Sequence, residues 1–231
     1  MVKLEKIEEV RFPMSSHKNN MQDKHCDYKT LAIMTLYSNI TPMKDQHETG
    51  IYEDYRFLYK NRIIKFTEEI EYISNNKINT IIKNMRKLSQ LDGDLVTAYK
   101  NKNEEIYYAI NYGSGVKNNK FVTIPGEMLK YLIWTGNSNV IKAYILIKYL
   151  CEYEESEYGN KEKKITNSYI CEQIGLNPNS KNNLHGVKMI TESLQNNGFI
   201  NRREVTKGEG IKKYIYYSVN GYEEWKNRNK N

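Results

Sequence analysis

Proline and alanine are scarce in this chain, with only 4 prolines in 231 residues, while Asn, Lys, Ile and Tyr are abundant. AT-rich coding produces that bias, so it speaks of the genome more than of a mechanism. Cysteine is also thin. Cys26, Cys151 and Cys171 are odd in number and far apart, which excludes a disulfide framework and suits reduced intracellular thiols. No C-x-x-C or H-x-x-x-H spacing occurs, and the adjacent His25 and Cys26 make no ligand set; no metal and no other cofactor is expected. No run reaches the roughly 18 apolar residues of a membrane span. The longest apolar stretch, around Tyr144 to Leu150, is broken by Lys142 and Lys148. The opening MVKLEKIEEVRF lacks the apolar core of a signal peptide. A cytoplasmic chain with no membrane partner is therefore expected. G-x-x-x-x-G-K-[ST] is missing, which argues against ATP-driven chemistry. Tyrosines are plentiful, but no His-hydrophobe-His pair accompanies them as a metal site beside a nucleophile. The clustered acids Glu68, Glu69 and Glu71, and later Glu152, Glu154 and Glu155, read as solvated helix faces. An enzyme is not expected.

What is present is positive charge. Lys and Arg number 35 against 28 Asp and Glu, a net charge of +7, with an isoelectric point near 9.0. That balance favours polyanions, nucleic acid first and an anionic membrane surface second. Hydrophobic residues make up 39%, enough for a core, and the length allows one large domain or two of roughly 100 residues.

Along the chain, residues 1–27 read as a polar N-terminal arm, in which LEKIEEVRF suits a strand or a short helix. Tyr28 to Ile40 reads as a buried helix on Leu31, Ile33, Met34 and Leu36. Thr41 to Asn61 reads as a loop, with a short helix in EDYRFLYKN. RIIKF, residues 62–66, is a strand candidate. Thr67 suits an N-cap, Asn75 and Asn76 a turn, and Ile78, Ile81, Ile82, Met85 and Leu88 the buried row of a longer helix ended by Gly93. Two strands follow, Leu95 to Tyr99 and Ile106 to Ile110. Residues 113–119, holding Gly113, Ser114 and Gly115, read as a linker between a first domain, 28–112, and a second, 120–222.

The second half opens with the strand FVTIP, a short helix GEMLKYLIWTG and a longer helix from Asn137 to Glu154. SEYGNKEK, residues 156–163, reads as a charged loop. The earlier order then recurs. Lys164 opens the second copy ahead of Thr166 as an N-cap, with Ile170 and Ile174 facing the core. A second long helix sets Leu184, Val187, Ile190 and Leu194 inward and ends at Gly198. A hairpin from Phe199 to Val219 turns at KGEG, and residues 223–231 read as a polar tail.

The two long helices share one property: their outward faces are basic and polar. In the first these residues are Asn76, Lys77, Asn79, Thr80, Lys83, Asn84, Arg86 and Lys87; in the second they are Ser180, Lys181, Asn182, Asn183, His185 and Lys188. A duplex major groove admits one helix, and such a face offers short polar groups to base edges and long cations to phosphates. Asn76, Lys77, Asn79, Thr80, Lys181, Asn182 and Asn183 suit base contact; Lys83, Lys87 and Lys188 suit phosphate. The hairpins add Lys100 and Lys102 in the first copy, and Arg202, Arg203, Lys207, Lys212 and Lys213 in the second. The second hairpin is the more cationic, since Glu104 and Glu105 sit in the first.

Both halves resemble winged-helix domains, a helix-turn-helix followed by a β-hairpin wing. The tandem order is similar to plasmid and phage replication initiators, and related segregation proteins, of low-GC Gram-positive bacteria. FVTIPGEMLKYLIWTGNSNVIKAYILIKYL, ahead of the second helix-turn-helix, is similar to the opening of the winged-helix domain in those initiators. The resemblance spans Tyr28 to Val219 and implies a helix-rich α+β fold of two tandem winged helices in a bacterial cytoplasm. It also implies sequence-specific binding of double-stranded DNA in plasmid or phage replication or maintenance, with self-association or replication proteins as further partners. Transcription regulators share the fold, and winged helices also serve as protein-interaction scaffolds. Both alternatives stay open at this point.

Overall fold

The computed structural model describes residues 10–13, 21–38, 55–91, 95–101, 103–111, 121–207 and 212–229. The chain is helix-rich α+β, with small antiparallel sheets. It divides into two compact units: Met1–Asn20 with His25–Ser138, and Met21–Lys24 with Asn139–Asn231. The division falls at Ser138; the 113–119 segment expected as a linker lies outside the described residues.

In the first unit, β1 (Val10–Pro13) pairs antiparallel with β5 (Phe121–Ile124), Val10 opposite Ile124. Part of the expected arm is therefore a strand of this unit, while Met21–Lys24 belongs to the other. Helix α1 (Tyr28–Tyr37) starts at Asp27, whose carboxylate accepts from the Lys29 N–H, 3.1 Å, and from Thr30 Oγ1, 2.6 Å. Every residue of α1 except Lys29 is buried, as a helix apolar on all sides must be.

Strand β2 is Tyr55–Tyr59, and Lys60–Lys65 is helix α2. The expectation of a helix in EDYRFLYKN and a strand in RIIKF is thus reversed. Phe57 and Tyr59 form a buried cluster with Tyr107 and Ala109 of the partner strand. That row of aromatic cross-strand contacts outweighs the β-branched pair Ile63–Ile64. Helix α3 (Thr67–Ser74) is capped by Phe66, not Thr67; the Thr67 hydroxyl donates back to the Ile63 carbonyl, 3.1 Å. Asn75 adopts the left-handed backbone expected of the turn, φ 53°. Helix α4 (Ile78–Leu88) buries Ile81, Met85 and Leu88 and half-buries Ile78 and Ile82. It ends at Ser89, and Gly93 lies outside the described residues. Strands β3 (Val96–Lys100) and β4 (Ile106–Asn111) follow, and the sheet runs β2-β4-β3. Helix α5 (Gly126–Thr135) is tied to α3 by a Lys130–Glu69 ion pair.

Helix α6 (Ser138–Tyr158) leads the second unit and runs longer than expected, through the start of SEYGNKEK. Val140, Tyr144, Ile147 and Cys151 are buried on it and Leu150 is half-buried. Lys142 is buried as well, its Nζ donating to the Asp23 carbonyl at 2.8 Å, as a buried charge requires. Strand β6 (Lys163–Lys164) precedes α7 (Asn167–Gln173), where Thr166 caps as expected and accepts from the Tyr169 N–H, 3.1 Å. Helix α8 (Lys181–Asn196) buries Val187, Thr191 and Leu194 and half-buries Leu184 and Ile190. Gly198, φ +74°, lets the chain leave it, with the Phe199 N–H reaching the Leu194 carbonyl at 2.9 Å. Strands β7 (Ile200–Lys207) and β8 (Lys212–Val219) complete a sheet of order β6-β8-β7.

The expected tail is instead a helix, α9 (Tyr222–Arg228). Its Trp225 is buried and stacks on Phe199, centroids 6.2 Å apart, while Phe199 meets Tyr144 at 5.2 Å. One apolar residue among charged ones leaves little periodic signal, which is why the helix was illegible.

Both units therefore share an order: a helix, a strand, helices joined by a polar turn, then two strands, with the last strand central in the sheet. Among the described residues no helix is long and apolar enough to cross a membrane.

Candidate nucleic-acid interface

The turn between α3 and α4 is built from short polar side chains. The Asn76 N–H donates to Ser74 Oγ at 3.2 Å, and Asn76 Nδ2 donates to the Ser74 carbonyl at 3.0 Å. Glu71 reaches across the turn: its Oε1 accepts from the Ile78 N–H at 2.8 Å and its Oε2 lies 3.5 Å from Lys77 Nζ. The Ile78 N–H bond, helped by Lys77, holds the Glu71 carboxyl below its ordinary pKa. Glu71 is thus a brace for the first turn of α4 rather than part of a merely solvated acidic face. Sequence patterning missed it because the carboxylate serves a helix other than its own.

From that start, Asn79, Thr80, Lys83 and Lys87 stand exposed on α4, with Asn76 and Lys77 exposed ahead of it. Asn76, Thr80, Lys83 and Lys87 recur at helical spacing and form one stripe opposite the buried Ile81, Met85 and Leu88. Among the described residues neither Lys83 nor Lys87 pairs with an acid. Asn84 does not belong to this face: it is half-buried, and its Nδ2 donates to Asp27 at 3.3 Å. In the hairpin Lys100 is neutralised by Glu104 at 2.5 Å, and Lys102 lies outside the described residues.

In the second unit Lys181, Asn182, His185 and Lys188 are exposed on α8. Ser180 is its N-cap, accepting from the Asn183 N–H at 3.4 Å. Asn183 is half-buried, and its Nδ2 donates to the Asn177 carbonyl at 3.1 Å, so it braces the turn. Lys188 lies 3.7 Å from Glu192.

The second hairpin departs most from expectation. Arg202 is turned inward, its side chain only 10% exposed and 2.6 Å from Glu204, so it is not a free surface cation. Arg203 is exposed, but Glu162 clasps it through Nε at 3.2 Å and Nη2 at 2.5 Å. Lys207 and Lys212 stand opposite each other in register; their side chains and residues 208–211 lie outside the described residues. The greater cationic character read from the second hairpin is thus partly cancelled within the fold.

Cys26, Cys151 and Cys171 are buried thiols, and burial pushes Cys151 up to about 12. Among the described residues no three His, Cys, Asp or Glu side chains come together to hold a metal. What the two exposed helices offer is amide, hydroxyl and ammonium groups in rows, the chemistry of base edges and phosphates. No protein-family model, curated protein or solved structure matches the chain.

Proposed function

We propose that the chain is a non-enzymatic, sequence-specific binder of double-stranded DNA, built from two winged-helix domains and serving plasmid or phage replication or maintenance. The observation that carries this reading is the shared order of the two units, each presenting an exposed polar helix, α4 or α8, behind a braced turn. An exposed helix of this composition fits the major groove, its first turns meeting bases and its later lysines the phosphates.

Fluorescence anisotropy against duplex DNA tests it. Binding is expected to weaken with salt, log K falling linearly with log salt by about 0.9 per phosphate contact. No binding at low salt, or a flat salt response, rejects the proposal. Selection of bound duplexes from a random pool then yields the site. A site lying in a replication origin or partition locus supports the assigned process; a site in a promoter overturns it in favour of a transcription regulator.

A further inference from the structure

The second unit carries a further surface, the outer face of its β6-β8-β7 sheet; of the residues expected at the duplex, the row of side chains across it takes in Arg203 alone. Side chains alternate along a strand. Tyr217 is fully buried, its hydroxyl donating to Asn167 of α7 at 3.3 Å, and marks the inner face. Tyr214 and Tyr216 therefore belong to the opposite one. Cross-strand register sets Lys164, Tyr216 and Arg203 in a single row over three strands. Lys164 Nζ lies 3.8 Å from the Tyr214 ring centroid, and the Arg203 guanidinium lies 5.1 Å from that of Tyr216. Both cations are exposed and both rings are half-buried. Beside the row runs an open groove of about 520 Å³, where Gly159, Asn160, Lys161, Glu162, Lys164 and Tyr216 are joined by the ion-paired Glu154 and Lys163.

We propose that this face binds single-stranded DNA. Unpaired bases stack on Tyr214, Tyr216 and the Arg203 guanidinium plane, while Lys161 and Lys164 meet the phosphates. Rings interleaved with cations are what unpaired strands need, because every base has a π-face and every nucleotide a charge. Duplex DNA hides those π-faces in its own stack. Successive same-face residues on β8 are roughly 7 Å apart, so two bases can be taken in sequence. Glu162 restrains the site: its carboxylate occupies Arg203, and a phosphate must displace it.

The test uses the full chain and a labelled oligothymidylate of about 12 nucleotides, within the site sizes of known single-strand binders. Tyr216→Ala is expected to weaken binding about 5- to 100-fold, the effect of one lost stack. Tyr216→Phe keeps the ring and is expected to bind like wild type, and Glu162→Gln to bind tighter by freeing Arg203. Independently of any variant's folding, 5-iododeoxyuridine in the oligonucleotide is expected to photo-crosslink the wild-type chain within Lys212–Val219. Crosslinks confined to α4 or α8, or preference for oligouridylate, overturn the proposal. Lys83→Ala separates the two sites. It should lower duplex affinity and leave oligothymidylate binding unchanged; a parallel loss of both would place the single strand on α4 and overturn this assignment alone.

Discussion

Lys83 and Lys87 stand exposed on α4 without an acid partner among the described residues, whereas Lys188 has Glu192 nearby and Arg203 is clasped by Glu162. A lysine without a counter-charge has nothing to give up when it meets a phosphate. Lys83→Ala is therefore expected to weaken binding to all duplexes alike and to lower the salt slope by about one contact. Lys188→Ala should change it less. Asn182→Ala, by contrast, is expected to cost about 1–3 kcal/mol on the selected site and little on random DNA. Anisotropy titrations over a salt series read all three, and an unchanged slope for Lys83→Ala would remove that residue from the interface. Glu71 makes a pH prediction. Its carboxyl is held below the ordinary value of about 4.3 by the Ile78 N–H. Its stabilisation is thus complete above that pH and is lost as the pH falls through the lowered folded-state value. The urea midpoint of the wild type should fall more steeply with acid than that of Glu71→Gln; parallel curves would show that the brace does not form.

At the scale of elements, the long helices were legible because their apolar rows repeat at helical spacing, as Ile81, Met85 and Leu88 do. The cap at Thr166 was legible too, but its expected counterpart Thr67 was not a cap, because α2 runs almost directly into α3 and supplies the Ile63 carbonyl instead. Strand β2 was missed because its aromatic residues gain their value only beside Tyr107 and Ala109. Two glycines let the element boundaries be tested. At Gly198, φ +74°, the atoms nearest an added Cβ belong to side chains, Asn229 Nδ2 at 3.2 Å and Arg228 Cδ and Cβ at 3.3 and 3.4 Å. Gly198→Ala should cost the left-handed strain, about 1–2 kcal/mol. At Gly175, φ +84°, the Cβ would lie 2.0 Å from the Gln22 carbonyl oxygen. Backbone cannot swing aside as a side chain does, so Gly175→Ala should be the more destabilising in urea unfolding. The reverse order would show that residues 21–24 do not pack there.

At the scale of the whole molecule, the division at Ser138 separates β5 and α5 from the unit that follows them in sequence. A fragment of residues 121–231, cut at the expected linker, loses β1 as the partner of β5 and Glu69 as the partner of Lys130. It bares Val122, Ile124, Leu129, Leu132 and Ile133, all buried in the intact chain. Such a fragment is expected to bind a hydrophobic dye and to unfold at lower urea than the full chain. A dye-silent fragment with an unchanged midpoint would return the boundary to 113–119.

By itself the sequence determined the helix-rich α+β class, the long helices with their polar outer faces, and the hairpins behind them. Those features depend on spacings within a turn or two of chain, which a short window contains. Only the tertiary structure decided which aromatic strand joins β4, that the tail is a helix closing over Phe199, and that Val10 pairs with Ile124. It also decided which cations meet acids, as Arg203 meets Glu162 from 41 residues away. Each of these is settled by a contact between distant segments, and local preference is too nearly balanced to choose without it.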